Sequence, residues 1–407
     1  MDFNDTAELA EFRHRVADFL DANAQRRTDN QLRGMEGEQA FLEGKEWYAR
    51  KAEAGLACLT WPKEYGGAGL TPLHEVIWAQ EAENYLTRDA QFVIGIGNCG
   101  PAIMHFATEE TKRELLPRMA SAEDVWCQLF SEPCAGSDVA GLRTRAERRG
   151  DEWLVNGQKI WTSGAQYSDY GVVLTRTDPT VSKYRGLTLF MIDMRQQGVE
   201  VRPIKQMDGG QHFAEVFFND AVIPDSYRLG DVGGGWTGAL TVLMSERLAI
   251  SGVQPTGFPQ FLDLVKSLEL NGRPIAEDPL VRERLATWYS RYAGLQAANK
   301  RMITAVAKGG IAGAEASLGK LVGAVMNQEI ANFACQLFGQ AGIIQDQELS
   351  PEQAHFQKTV LFSPGVRLAG GTDEVMRNIL AEQVLGLPQE PRADKGMAFQ
   401  DIPTGPG

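Results

Sequence analysis

Two consecutive stretches constrain this chain more than any other part: QLFSEPCAGSDVAGLRT at 128–144 and DEWLVNGQKIWTSGA at 151–165. The first combines small residues with the turn-forming Pro133, which lets a backbone approach a bulky ligand and point its N–H groups at phosphate oxygens. In the second, Asn156-Gly157 between two apolar runs is typical of a type I′ hairpin turn. Together they predict a loop for a phosphorylated cofactor beside a rigid hairpin.

The hydrophobic periodicity divides the chain into three parts and a tail. Helical spacing dominates at both ends, whereas the middle contains short Val-, Ile- and Phe-rich runs with no helix between them. Such runs favour an antiparallel barrel or sandwich over a dinucleotide-binding βαβ unit. We therefore predict an α+β fold with an N-terminal helical domain at 1–124, a middle antiparallel β-barrel or sandwich domain at 125–235, a C-terminal helical bundle at 236–388 and a frayed tail at 389–407.

Within these domains the pattern predicts individual elements. Strands are expected at 171–177, 187–194, 199–206 and 214–223. Helices are expected around 9–20, 73–86, 105–124, 237–250, 279–307, 314–338 and 372–385, the first capped by Asp5 or Thr6. An apolar stripe is assigned to the core of the bundle: Leu318, Leu321, Val322, Val325 and Met326.

Composition excludes several classes of function. The net charge of −13 argues against non-specific binding to nucleic acid or to an anionic membrane, because both need surplus Lys and Arg. The five Cys and five His residues show no metal-ligand spacing and no C-x-x-C pair, so neither a metal site nor a disulfide framework is expected. The beginning of the chain lacks a basic, then apolar, secretory pattern, and no apolar run reaches membrane-spanning length. We expect a cytoplasmic protein.

The motifs SEPCAGSD at 131–138 and NGQKIWTS at 156–163 resemble the flavin-binding signature of acyl-CoA dehydrogenases. The helix–sheet–helix order, QLFGQAGI at 336–343 and GGTDEVMRNILAEQVLGLP at 370–388 extend the resemblance to about residue 388. Two departures are visible. Cys134 stands where the family usually has glycine, and the arginine that many members carry before Phe-Gly is not evident at 267–278.

The resemblance implies FAD as the cofactor and an oligomer as the active form. It assigns cofactor contacts to Gln128, Phe130, Ser131, Ser137, Trp161, Thr162 and Ser163, with Thr372 and Glu374 in the closing motif. It also implies that the segment with Gln336, Gly339 and Gln340 reaches the FAD of a neighbouring subunit, most simply in a homotetramer, although a hetero-oligomer stays open. Lys159 and Arg143 are expected to be solvated charges at a strand edge and receive no role.

The reaction implied by the resemblance is the α,β-dehydrogenation of an acyl-CoA thioester to the trans-2-enoyl-CoA, with electrons passed to an electron-transfer flavoprotein. Two alternatives stay open: a flavin oxidase or monooxygenase of the same fold, and a non-catalytic subunit that completes a partner's FAD site. Resemblance at the level of the fold does not determine the acyl group.

The catalytic base is expected on an unusual element. Many members carry glutamate just before the Gly-Thr of the closing motif, where this chain has Gly370. Glu246 occupies the position that the resemblance to isovaleryl-CoA and long-chain acyl-CoA dehydrogenases assigns to the base, and Gly370 leaves room for its carboxylate while keeping an N–H for the thioester oxygen. Asp373 and Glu374 rank lower, and a surface pairing of Glu246 with a basic neighbour is the alternative. Substrate contacts are assigned to Ser137, Arg247 and Gly371.

Overall fold

The computed structural model describes residues 5–26, 37–251, 256–307 and 313–403, with the side chains of 246–251 and 306–307 outside the description. Helices come first, a mostly antiparallel sheet follows, and a second group of helices closes the chain. This order confirms the predicted α+β architecture of helical, β and helical parts. No helix in the described ranges combines the length and apolar character needed to cross a membrane.

The first helical part contains α1 (Ala7–Asn23), α2 (Glu38–Glu53), α3 (Pro72–Ala82), α4 (Gly100–Phe106) and α5 (Glu109–Ala120), with short strands β1 (Gln25–Arg26) and β2 (Tyr85–Leu86) and a π-helix at Ile94–Cys99. Thr6 caps α1 as expected, since its hydroxyl accepts from Leu9 N at 3.3 Å. The single helix predicted at 105–124 is two helices. Thr108 has extended backbone angles and caps α5 through Thr111 N, so a new helix begins there.

The middle part is an eight-stranded sheet in the order β10-β7-β6-β4-β5-β9-β8, with β3 also paired to β6. Its strands are β3 (Trp126–Leu129), β4 (Arg145–Arg149), β5 (Glu152–Ser163), β6 (Tyr170–Arg176), β7 (Leu187–Asp193), β8 (Val199–Pro203), β9 (Phe213–Pro224) and β10 (Arg228–Leu229). The four predicted strands are confirmed as β6 to β9. Pairings are antiparallel except β3–β6 and β4–β6. No sheet among the described strands closes on itself, so the predicted barrel is not observed.

The hairpin predicted at Asn156-Gly157 is wrong. β5 runs through both residues, and the turn lies before it, because Arg149 pairs with Glu152 across Gly150 and Asp151. The pair instead sits at an irregularity opposite β9, where the Asn156 side chain exchanges hydrogen bonds with Asp220. Gly157 has φ +150°, and a Cβ there would lie 2.5 Å from Thr144 Oγ1. Close approach of β5 to the preceding loop therefore requires this glycine.

The second helical part contains α6 (Gly235–Ser251), α7 (Phe258–Ser267), α8 (Pro279–Ala307), α9 (Ser317–Leu337), α10 (His355–Leu368) and α11 (Asp373–Ile379), with short strands β11 (Glu269–Leu270) and β12 (Arg273–Pro274). The predicted core stripe of α9 is only partly right. Met326 is buried, but Leu318 is exposed and its three companions are half-buried. Most residues of the buried face are small, and Lys320, Met326, Asn327 and Ile330 are the larger ones, because α10 packs closely against this face.

Up to residue 403, where the described part ends, the tail does not fray as predicted. Between 389 and 403 it returns to the middle part, where Phe399 N donates to Val181 O at 2.8 Å and Gln400 N to Pro179 O at 3.0 Å. Backbone hydrogen bonds and the ring of Phe399 hold it there, interactions that hydrophobic periodicity does not report.

Candidate active site

The motif at 131–138 forms a tight loop. Glu132 N donates to Ala135 O at 2.9 Å, and Ala135 N donates back to Glu132 O at 3.0 Å. Cys134 lies at the tip, exposed, and its φ is not in the left-handed region. The departure from the family's glycine is therefore tolerated, because the backbone there suits an L-residue.

A buried ion pair ties this loop to β5. Lys159 is 0% exposed, and its Nζ donates to Glu132 Oε1 at 2.8 Å and to Phe130 O at 3.1 Å. Glu132 also accepts from the backbone N–H groups of Arg143 at 2.6 Å and Thr144 at 2.9 Å, and more weakly from Cys134 Sγ at 3.9 Å. Burial alone would raise the pKa of Glu132, but the charge and hydrogen bond of Lys159 outweigh it and hold the pKa below its usual value.

The expectation that Lys159 is a solvated edge charge is therefore wrong. It shares the alternating phase of Trp153 and Val155, which are buried on the same strand. This period of two is the signal that indicates its burial. Arg143, the other charge set aside, is exposed and touches the site through its backbone.

The two halves of the signature meet where β5 passes the loop. Ile160 N donates to Ser131 O at 2.9 Å, one residue beyond the bond from Lys159 to Phe130 O. A trans peptide directs its C=O and N–H to opposite sides, so the Ser131 N–H points away from Lys159. The chain thus holds the backbone of Phe130 and Ser131 from one side and leaves the other side to a ligand.

Trp161 lies at a bulge in β5. Between Lys159 and Thr162 the register against β9 shifts by one residue, and Trp161 there has φ +60°. A bulge re-aims a side chain, and a bulky residue in left-handed conformation is strained. The indole is 56% exposed, edge-on to Phe213 at 6.0 Å. The chain thus presents a large aromatic face beside the loop, where a planar ring can stack.

Polar atoms near the signature lack partners inside the structure. The Thr162 hydroxyl is buried with no hydrogen bond, and the same holds for Asn98 Oδ1. Asn98, on the π-helix, donates through Nδ2 to Gln128 Oε1 at 3.0 Å. Buried polar atoms without partners are rare and indicate a missing ligand or water. With the open indole of Trp161, they fit the polar edge and the flat face of a flavin ring.

Asn98 carried no motif that sequence reasoning could find. Its place on a π-helix, a form that often occurs at functional sites, becomes visible only in the structure. Ser163, the last predicted contact of the hairpin side, is half-buried and paired to Phe213 of β9.

The loop at 137–142 is held by two further cations that the sequence did not single out. Lys183 Nζ lies 2.9 Å from both carboxylate oxygens of Asp138. Arg176 donates to Ala140 O at 2.6 Å and to Leu142 O at 3.2 Å, and burial lowers its pKa to about 10, so it stays charged at neutral pH. Ser137, directly before the anchored Asp138, is exposed.

The closing motif forms a second anchored loop. Gly370 has φ +66° and Gly371 has φ +103°, a region that favours glycine. Lys320 of α9, 2% exposed, donates to Arg367 O at 2.7 Å and to Gly371 O. Thr372 caps α11 through Val375 N at 3.3 Å. Lys320 thus holds the backbone on both sides of Gly370.

The alternative acids of this motif differ in availability. Asp373 is 3% exposed and Arg367 donates to its Oδ2 at 2.7 Å, so its carboxylate is held in an ion pair. Glu374 is exposed in the first turn of α11. Neither is placed as a desolvated base.

The base candidate Glu246 and its neighbour Arg247 lie on the backbone of α6, with side chains outside the described structure. The preceding turns of α6 contribute Ala239 and Val242 to the core that contains Phe130. The helix also packs against the π-helix of Asn98 and against α9. It therefore passes beside the flavin motif.

The segment with Gln336, Gly339 and Gln340 lies at the end of α9, with all three residues exposed and Gly339 at φ +56°. Ile343, next to it, is 85% exposed. Hydrogen bonds bring the motif segments 128–144 and 156–163 together. The segment with Gln336, Gly339 and Gln340 lies on the surface instead. Among the described side chains, no group of three or more His, Cys, Asp or Glu residues is arranged to hold a metal ion.

Comparison with known proteins gives three adjoining family matches. The family models for the acyl-CoA dehydrogenase N-terminal, middle and C-terminal domains match residues 6–123, 127–221 and 233–385. The acyl-CoA dehydrogenase IpdE1 of Mycobacterium tuberculosis is 36% identical over 371 residues, covering 88% of this chain and 93% of that protein.

Solved structures agree over almost the whole length. The ChsE4-ChsE5 complex from Mycobacterium tuberculosis matches with a TM-score of 0.79 at 27% identity, covering 96% of this chain and 100% of the matched chain. The "Tcur3481-Tcur3483 steroid ACAD" matches with a TM-score of 0.80 at 28% identity, with the same coverage. The order of domains, the anchored flavin motif and these similarities agree, and the chain belongs to the acyl-CoA dehydrogenase family of FAD-dependent oxidoreductases.

Proposed function

We propose that this chain is a catalytic acyl-CoA dehydrogenase that removes the α-proton and the β-hydride of an acyl-CoA thioester and releases the trans-2-enoyl-CoA. The observation that supports the proposal is the hydrogen bond from Ile160 N to Ser131 O, because it joins the two motif segments that carry the exposed indole of Trp161 and the unpaired hydroxyl of Thr162. Loss of bound flavin from the purified protein, even after addition of FAD, would refute it.

The bound FAD supplies the acceptor for the hydride. The residues of this chain hold the cofactor and orient the substrate beside it. The Glu132–Lys159 pair fixes the backbone of Phe130 and Ser131, and the hydroxyl of Thr162 would provide a hydrogen-bond partner for the ring. The exposed indole of Trp161 would cover one face of the flavin ring and exclude water from that face. Groups that are already fixed need no reorganisation when the substrate arrives.

Activation of the thioester is assigned to the closing loop. The N–H of Gly370 would donate to the thioester carbonyl oxygen, which stabilises the negative charge that develops as the α-proton leaves. Lys320 supports this role, since it holds Arg367 O and Gly371 O on either side of that peptide. Gly371 and Ser137 are the proposed neighbours of the substrate.

Glu246 is the proposed base. A side chain at 370 would be strained at φ +66°, and Asp373 is committed to Arg367. Glu246 lies on α6, a helix that packs against the π-helix of Asn98 beside the flavin motif. Arg247 is proposed to contact the substrate.

The test replaces Glu246 by Gln and uses Glu110→Gln, an exposed carboxylate of α5 with no assigned role, as the matched control. Anaerobic flavin reduction by an acyl-CoA should slow by at least about a hundredfold in the first variant, the lower range of general-base catalysis, and stay near normal in the second. Flavin content should be unchanged in both. Equal rates in Glu246→Gln and wild type would move the base elsewhere.

For the acyl group, we propose a ring-containing substrate as the first class to test, because one of the similar structures is described as a steroid acyl-CoA dehydrogenase. Anaerobic bleaching of the flavin against thioesters of linear, aromatic and steroidal acids measures this directly. Reduction only by linear acyl-CoA would contradict the proposal. An electron-transfer flavoprotein is the proposed acceptor, and steady hydrogen peroxide production without any acceptor would favour the oxidase alternative.

We further propose an oligomer in which Gln336, Gly339 and Gln340 complete a neighbour's FAD site. These three residues are exposed, and the apolar side chain of Ile343 beside them is exposed as well, which supports a subunit contact at this surface. A homotetramer is the simplest form, whereas the similar ChsE4-ChsE5 complex makes a second type of chain worth testing. Native mass spectrometry with flavin occupancy separates the cases: a colourless homomer that gains FAD only with a partner chain would favour the non-catalytic or heteromeric alternative.

A further inference from the structure

The segment 392–402, here called the clasp segment, follows the part of the chain that matches the family, which ends at residue 385. It lies along residues 179–184 of the middle part. Ala398 forms a bridge with Ser182, and Phe399 N donates to Val181 O at 2.8 Å. The clasp segment thus lies beyond the matched domain model and packs on residues of the middle part that also contact the loop at 137–142.

Arg176 connects the clasp segment to that loop. Its Cζ lies 3.5 Å from the centroid of the Phe399 ring, and its nitrogens donate to Ala140 O, Leu142 O and Lys183 O at 2.6, 3.2 and 3.0 Å. The guanidinium is 4% exposed. The Phe399 ring covers one face of the Arg176 guanidinium. Water is therefore kept from the N–H groups that donate to the three carbonyl oxygens.

Lys183 makes a second connection. Its Nζ lies 2.9 Å from both carboxylate oxygens of Asp138, the residue after Ser137, and 2.5 Å from Asp394 Oδ2 in the clasp segment. The loop at 137–142 has few hydrogen bonds of its own, from Gly141 N to Asp138 O and from Leu142 N to Val139 O. The loop at 137–142 is therefore held mainly by Lys183 and Arg176, and the clasp segment contacts both of these side chains.

We infer that the clasp segment is a positioning element: through Arg176 and Lys183 it preorders the loop at 137–142 and so sets the affinity for a phosphate-bearing ligand at Ser137. The inference rests on the proposed role of Ser137. Preordering a binding loop raises affinity because less conformational freedom is lost on binding. The phosphate belongs to FAD or to the CoA of the substrate, and the experiment separates them.

The test uses the full chain with Phe399→Ala and Asp394→Asn, and Gln400→Ala as the control, which removes an exposed side chain and keeps the backbone bond to Pro179. Apoprotein is titrated with FAD, and holoenzyme is titrated with CoA. In Phe399→Ala the Kd of one ligand should rise by about tenfold, the scale of a lost desolvated cation–π contact, with a smaller rise in Asp394→Asn. Hydrogen exchange should accelerate within 137–142.

A double-mutant cycle with Ser137→Ala shows whether the effect passes through Ser137. Phe399→Ala should weaken binding much less when Ser137 is already absent, whereas a merely structural role would give additive losses and overturns the inference. A change confined to FAD or to CoA assigns the phosphate to that ligand. Unchanged Kd values for both overturn the role of the clasp segment alone, whereas a wild-type chain that never binds FAD overturns the proposed function.

Discussion

The buried pair of Lys159 and Glu132 gives the sharpest test of how the flavin motif is held. Lys159→Met keeps the length of the side chain and removes the charge. Glu132 would then keep its two backbone donors but lose its counter-charge in a nearly dry site. Removing one partner of a buried pair costs about 3–5 kcal/mol, because an uncompensated charge is left behind. We expect the free energy of unfolding of the apoprotein to fall by about 4 kcal/mol.

The sign of the pH dependence follows from the carboxylate. In the wild type the pKa of Glu132 lies below its usual value, so the pair stabilises the fold above the pKa of unfolded Glu and this contribution is lost as pH falls through the folded pKa. In the variant, burial without a cation raises that pKa, so the bare carboxylate costs most at alkaline pH and protonation relieves it. The deficit of Lys159→Met should therefore shrink between about pH 8 and pH 5.

Urea unfolding of the apoprotein, followed by tryptophan fluorescence at both pH values, measures these differences. Lys266→Met is the matched control, because its pair with Asp263 is exposed and should contribute less than about 1 kcal/mol. The double variant Glu132→Gln with Lys159→Met should recover much of the loss, since no charge then stays unpaired. A deficit that is no larger than that of the control, or that is the same at both pH values, would refute the reasoning.

Three further predictions use the same region. Gly157→Ala should lower the thermal midpoint more than Gly150→Ala, because both have positive φ but only at 157 would a Cβ meet Thr144, at 2.5 Å; equal shifts would show that contact to be unimportant. In the native apoprotein iodoacetamide should label the exposed Cys134, and not Cys127, whose pKa burial raises to about 12, with FAD slowing the labelling; peptide mass spectrometry reads this out. Trp161→Gly should relieve roughly 1 kcal/mol of backbone strain in the apoprotein while weakening FAD binding, and unchanged FAD affinity would remove the indole from the cofactor site.

The sequence predicted the architecture because the hydrophobic period of the middle part differs from the helical period of both ends, and most residues of β6, β7 and β9 alternate in burial or form apolar runs. It failed at Asn156-Gly157, where a residue pair typical of turns serves a bulge and a close contact with Thr144 instead. The residue types Asn-Gly indicate an unusual backbone conformation at 156–157. Whether that conformation is a turn or a bulge depends on strands that are distant in sequence.

The candidate site shows the same division. The motifs indicated which segments meet, and the hydrogen bond between Ile160 and Ser131 joins them. The groups that hold those segments were missed, because a charged residue in a sequence indicates the surface unless its partner is known. Lys159 has its partner 27 residues earlier, and Asn98 meets Gln128 from another domain. Such pairings are set by packing, which residue spacing does not encode.

Three buried cations share one structural task. Lys159 donates to Phe130 O, Arg176 to Ala140 O and Leu142 O, and Lys320 to Arg367 O and Gly371 O. Each holds a loop that has little regular structure of its own and that carries a proposed ligand contact. Burial lowers the pKa of all three cations, including Lys159, whose partner Glu132 opposes that effect. Charged donors make stronger hydrogen bonds than neutral ones, which suits loops that neither helix nor strand can hold. The loops of this site are therefore rigid because of side chains that need not touch the ligand, and substitution of any of the three should disturb binding from a distance.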